Sequence, residues 1–161
     1  MQASSNNDIR DVLQSVYDPE IPVLSVIDMG IIRNICNESG EVVIHITPTY
    51  TGCPAMDVIS AQIRMALLAA GYRSVKIVQE LSPAWTTDWI SEEGKQKLKA
   101  YGIAPPIGKA VDAVWLEDLH PQCPQCNSFH TEMVSQFGST ACKALFKCLD
   151  CKEPFDYFKC H

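Results

Sequence analysis

Apolar positions along the first hundred residues recur with two different periods. Ile9, Val12, Leu13 and Val16 fall at i, i+3, i+4 and i+7, which is one face of a helix. Asp18-Pro19-Glu20-Ile21-Pro22 ends that helix, because two prolines cannot continue it. Ile31 to Cys36 reads as a strand and Glu38-Ser39-Gly40 as a turn. Val42, Ile44 and Ile46 alternate with Val43, His45 and Thr47 as a second strand, so the two are expected to form a hairpin. A loop, Pro48 to Pro54, leads into a helix with Met56, Ile59, Ile63, Ala66, Leu67 and Ala70 on one face, closed by Gly71. Val75 to Glu80 reads as a third strand, Trp85 to Tyr101 contains a helical stretch ending at Gly102, and Val111 to Leu116 is a further candidate strand. The order α-β-β-α-β predicts a small two-layer α+β domain.

The pattern changes after about residue 117. Two Cys-x-x-Cys turns, Cys123-Pro124-Gln125-Cys126 and Cys148-Leu149-Asp150-Cys151, bracket candidate strands at Thr131 to Phe137 and Ala144 to Lys147, and Phe155 to Lys159 follows. This is the outline of a zinc-ribbon-like β module. The expected organisation is therefore a domain over residues 8–116 and a metal-binding domain over 117–161. There is no internal repeat.

Composition narrows the class. At 47% hydrophobic and 20% charged the chain reads as soluble and globular. A net charge of −6 is the wrong sign for a free-standing nucleic-acid binder. The apolar runs are far too short for a membrane span, which needs about 20 residues. Residues 1–7 have neither the basic start nor the apolar core of a signal peptide. A cytoplasmic location is expected, and there clustered cysteines are metal ligands or reactive thiols more often than disulfides.

Six of the eight cysteines follow residue 120. Each Cys-x-x-Cys sets two thiolates on one tight turn, and two facing turns make a tetrahedral four-sulfur site of Cys123, Cys126, Cys148 and Cys151. Such a site suits zinc, but also iron or an iron–sulfur cluster. Zinc is the expectation, since the paired turns resemble ribbons and a closed site has no open position for chemistry. So small a module cannot bury enough core to fold unaided, which makes the metal part of its folding energy. Cys142 follows a small-residue turn and precedes Lys143; it is either an exposed thiol of lowered pKa or a buried turn residue. Cys160 and His161 are further possible ligands, with fraying as the default. His120 and His130 read as surface or turn residues.

In the first domain Cys53 stands out. Gly52 permits an unusual backbone, and Pro54 suits the first helical position. Cys53 is then expected at or near the helix N-cap, where N–H groups and the dipole stabilise a thiolate. The alternative is an unreactive cap residue. Asp18 and Glu20 are either hard-metal ligands or turn residues around Pro19. Cys36 reads as a small packing residue in a strand. No P-loop, dinucleotide fingerprint or nucleophile elbow is present.

These segments also carry a resemblance. Asp18 to Pro22, Asp28-Met29-Gly30-Ile31-Ile32 and Thr47 to Ala55 resemble the metal–sulfur cluster assembly domain. Pro83 to Ile90, Tyr101 to Pro106, Phe137 to Ala144 and Glu153 to Cys160 look like the D-subunit family of the bacterial phenylacetyl-CoA epoxidase system, over nearly the whole chain from Asp8. The resemblance implies an accessory protein of aerobic phenylacetate catabolism rather than an enzyme. In this role it assembles or delivers an iron–sulfur cluster, or iron, to that system. Its implied partners are the epoxidase components, the iron–sulfur reductase above all. Cys53 would be the transient cluster or iron contact, aided by Cys142 or by Cys53 of a second copy in a homodimer; Asp18 and Glu20 belong to the family's acidic loop. The competing expectation is a structural or docking subunit of the oxygenase complex. A catalytic oxygenase role is disfavoured by the lack of a Glu-x-x-His pair.

Overall fold

A computed structural model describes residues 6–108 and 115–159. These divide into two compact units, 1–91 and 92–161.

In the first unit, α1 (Asn6–Leu13) buries Ile9 and Leu13. The hairpin of β1 (Ile32–Glu38) and β2 (Glu41–Ile46) is antiparallel, with Cys36 opposite Val43 and Ile35 opposite Ile44. Along β2 only Val42, Ile44 and Ile46 are buried, as the alternation requires. Helix α2 (Ala55–Ala69) then crosses over to β3 (Ser74–Gln79), which pairs parallel to β2. The sheet order is β1-β2-β3. Met56, Ile59, Ile63 and Leu67 form the buried stripe of α2.

The loops of this unit are tied down by specific contacts. The Asp18 carboxylate accepts from the backbone N–H of Glu20 at 2.7 Å and of Ile21 at 2.9 Å. Asp28 accepts from the Ser25 N–H while its own N–H donates to Ser25 Oγ. The Trp85 indole donates to the Met29 carbonyl at 2.8 Å, and the Arg33 guanidinium lies 3.7 Å over the Trp89 ring. Gly30 sits between these contacts at φ +68, where an added Cβ would lie 2.3 Å from the Trp89 carbonyl oxygen. Only glycine meets both demands.

The second unit begins with α3 (Glu92–Tyr101), the helix expected before Gly102. It holds a four-stranded sheet in the order β4-β7-β6-β5, made of β4 (Ile103–Ala104), β5 (Thr131–Ser135), β6 (Lys143–Cys148) and β7 (Pro154–Phe158). β5, β6 and β7 form an antiparallel meander, and β4 adds to β7 in parallel. Phe146, Phe155 and Tyr157 fill the core with Ala104, Ala144, Cys123 and Cys148. The expected boundary at 116/117 falls inside this unit. The sheet reaches back to residue 103 through β4, and α3 packs on β4, so backbone pairing draws the segment from 92 to the ribbon side. Of the candidate strand Val111 to Leu116, residues 111–114 lie outside the described residues, and Leu116 opens a short 3-10 turn. Cys160 and His161 also lie outside them.

Candidate metal centre

Two tight turns project from the second sheet. The first is closed by Asn127 N–H to the Cys123 carbonyl at 2.9 Å and by Cys123 N–H to the Ser128 carbonyl at 2.8 Å. The second closes through Cys148 N–H to the Glu153 carbonyl at 3.0 Å. Each leaves the chain through a left-handed residue immediately after its second cysteine, Asn127 at φ 62 and Lys152 at φ 70. The turns are thus built alike, and the β5–β6 pairing, with Thr131 opposite Cys148, brings them face to face.

The result is a four-sulfur cluster. The Sγ atoms of Cys123, Cys126, Cys148 and Cys151 all lie within 4.8 Å of one another. Cys123 to Cys151 is 3.7 Å and Cys126 to Cys148 is 3.5 Å. A disulfide would need about 2.05 Å. Four sulfurs each about 2.3 Å from a central zinc stand about 3.8 Å apart, which is close to what is seen. The donor set and spacing fit a tetrahedral metal ion. Cys123 and Cys148 are buried, whereas Cys126 and Cys151 reach the surface.

Backbone amides point at these sulfurs. Burial pushes the Cys148 thiol up, but the N–H groups of Cys151 and Asp150, with the Cys126 and Cys151 thiols, outweigh it and bring it down to about 7. At Cys151 the Glu153 N–H acts downward, yet burial and the neighbouring sulfurs hold the thiol up at about 12. At Cys126 the Ser128 N–H acts downward, but burial and the Cys148 and Cys123 sulfurs together hold the thiol above its ordinary value. Without a cation the cluster favours the thiolate at Cys148 and keeps protons on Cys126 and Cys151. A divalent ion inverts that preference.

A polar bridge ties the turns together beside the sulfurs. Ser128 Oγ donates to Asp150 Oδ2, His130 Nδ1 pairs with Asp150 Oδ1 at 3.0 Å, and Leu149 N–H donates to the His130 carbonyl at 2.8 Å. The Ser128 hydrogen bond and then His130 hold the Asp150 carboxyl below its usual range. His130 is exposed, as expected, but it is not idle. Ser128 and Asp150 carry no motif of their own in the sequence; their only signal is a position within two residues of ligand cysteines.

The other candidates lie elsewhere. Cys142 is buried, the second of its two alternatives, with Thr140 Oγ1 3.0 Å from its sulfur. Cys53 is half-buried one residue before the helix cap, which is Pro54 rather than Cys53 itself. Gly52 at φ +79 turns the chain there, and Cys53 N–H donates to the Tyr50 carbonyl at 3.2 Å. The Thr49 hydroxyl donates to the Cys53 sulfur at 3.9 Å. Cys53 lines a cavity of about 260 Å³ with Pro48, Met56, Asp57, Gln79 and Leu81. Asp18 is buried as the acceptor of its own turn, and Glu20 belongs to that turn. Among the described residues, the four ribbon cysteines are the one group of three or more such side chains close enough to share an ion. His45 pairs with Glu80 at 2.6 Å on the sheet. No described helix is long and apolar enough to cross a membrane.

Comparison with known proteins gives two separate family matches along the chain. Residues 6–78 match the iron–sulfur cluster assembly protein family, and residues 111–159 match the PaaD zinc beta ribbon domain. The chain is 47% identical to a protein of Escherichia coli (strain K12) provisionally named as the D subunit of 1,2-phenylacetyl-CoA epoxidase, over 96% of this chain and 92% of that one. It is 40% identical to an Fe-S protein maturation auxiliary factor of Porphyromonas gingivalis (strain ATCC BAA-308 / W83), over 58% of this chain and 90% of the relative. Among solved structures, a domain of unknown function from Bacillus anthracis superposes with a TM-score of 0.53 at 23% identity, covering 57% of this chain and 89% of that one. A conserved hypothetical protein from Thermotoga maritima gives 0.52 at 25%, covering 61% and 98%.

Proposed function

The chain belongs to the D-subunit family of phenylacetyl-CoA epoxidase, and from that premise we propose that it assembles or delivers an iron–sulfur cluster, or iron, for the epoxidase system. Its ribbon is a closed structural site, and zinc is the ion we assign to it. Four thiolates complete the tetrahedron and leave no open position, so the ribbon is unsuited to handing metal on.

The observation that carries this reading is Cys53. It is a half-buried thiol at a glycine-turned loop, and it lines a cavity at the mouth of α2. A relative that matches over 58% of this chain is named an Fe-S protein maturation auxiliary factor. One cysteine cannot retain an ordinary cluster, which takes four protein ligands. The cargo would therefore be held transiently, with the remaining ligands supplied by the client. The iron–sulfur reductase of the system is the client we favour.

The test is anaerobic cluster transfer. The full chain is purified without oxygen, its metals and absorption spectrum are measured, and transfer to the reductase is timed for wild type and Cys53→Ala. One colourless zinc per chain, with iron lost and transfer slowed in the variant, supports the proposal. Unchanged transfer in Cys53→Ala removes it. Stoichiometric co-purification with the oxygenase and full activity in Cys53→Ser would point instead to a docking subunit.

A further inference from the structure

Helix α2 carries a second apolar stripe, on the side away from its core. Val58, Met65 and Leu68 are 45%, 69% and 46% exposed, and Ala61 between them is exposed as well. Positions 58, 61, 65 and 68 advance by three, four and three residues, which keeps them on one face. Exposed Asp57 and Arg64 flank the same stripe. Neither has an ion-pair partner among the described residues.

The arrangement is self-complementary. Asp57 and Arg64 stand four residues before and three after Ala61, along one edge of the stripe. Val58 and Met65 stand three before and four after it, along the other edge. A two-fold axis lying across α2 at Ala61 reverses the helix direction and keeps each edge on its own side. Asp57 then meets Arg64 of the second copy, Val58 meets Met65, and the small Ala61 side chains let the helices approach. A face that exposes apolar groups and matches its own charges under one rotation fits an isologous contact.

We propose that this chain forms an antiparallel homodimer through the outer face of α2, with Ala61 at the crossing. The contact holds whether or not Cys53 handles iron, yet it bears on that role. Ala55, the first residue of α2, is six positions from the crossing. The two helix mouths therefore stand about 18 Å apart along the axis, at about 1.5 Å per residue. Two Cys53 sulfurs so placed cannot ligate one ion. Each Cys53 cavity instead gains Arg64 of the second copy near Asp57 on its rim.

The experiment is sedimentation of the full, zinc-loaded chain under reducing conditions, up to about 100 μM, since a single helix pair makes a small and weak interface. The wild type should dimerise. Arg64→Asp and Asp57→Arg should each weaken the dimer by about tenfold or more, because each sets like charges against one another. The double exchange, Asp57→Arg with Arg64→Asp, should restore it. Circular dichroism and zinc content confirm that the variants are folded; all the altered residues are exposed. Met65→Glu gives an independent disruption. A monomeric wild type overturns the proposal, and so does a dimer insensitive to these changes or one that the double exchange fails to recover.

Discussion

His130 and Asp150 stand twenty residues apart in the chain and meet at 3.0 Å, ring Nδ1 to carboxylate Oδ1. One belongs to the segment leaving the first cysteine turn, and the other lies inside the second. Ser128 reaches the same carboxylate from the first turn. Asp150 therefore holds in register two turns whose four sulfurs must share one ion. Outer groups of this kind orient ligands without touching the metal.

Asp150→Ala should lower metal affinity by about tenfold, the smaller end of what outer-shell substitutions cost. Competition with a calibrated chelator measures it. His130→Ala should have a weaker effect in the same direction, because Ser128 remains. An unchanged affinity in Asp150→Ala would show that the bridge is incidental.

Removing the ion should unfold one unit selectively. The second core includes Cys123 and Cys148 themselves, so the ligands are also packing residues. A strong chelator, or Cys148→Ser, should abolish hydrogen-exchange protection across β5, β6 and β7 and leave β1 to β3 protected. Uniform loss of protection in both sheets would contradict this.

Metal entry should release protons. In the ion-free site Cys151 titrates at about 12 and Cys126 above its ordinary value of 9.0, so at pH 8 both carry protons that the ion must displace. Affinity should thus rise with pH, by at least two logarithmic units per pH unit near pH 8. Below about pH 7 the Cys148 thiol is protonated as well, and the dependence steepens. Calorimetry in buffers of different ionisation heat counts the protons, and fewer than two would refute the assignment.

Gly30→Ala should destabilise the first unit by about 2–4 kcal/mol, from left-handed strain together with overpacking against Trp89. Urea unfolding followed by tryptophan fluorescence reads it. Gly40→Ala, where an added Cβ meets nothing within 4 Å, is the control and should cost only its backbone strain.

Features set by short-range chemistry were legible in the chain. The alternation at Val42, Ile44 and Ile46 gave the buried face of β2, and the two cysteine spacings gave the turns that gather four sulfurs. What stayed hidden depends on partners distant in sequence. Ile103 and Ala104 are too few to show a period, and they form a strand only because β7 offers its edge. The carboxylate of Asp18 could equally have been a ligand, and its turn role shows only in its backbone partners. Cys142 left two readings open, since exposure is decided by the packing of β6 against β7. Cys53 stands beside the helix start, at or near the cap as its neighbours implied, with Pro54 at φ −67 and ψ −21 between it and Ala55.

The pairing of β4 with β7 also bears on how the chain can be divided. β7 lies between β6 and β4, so a fragment starting at residue 117 would bare the edge of β7 at Asp156 and Tyr157, where β4 pairs with it. Unsatisfied amides and carbonyls along such an edge invite pairing with any neighbouring molecule. A shortened ribbon would therefore tend to clump even with its ion in place, whereas a cut between residues 91 and 92 would keep that edge sealed.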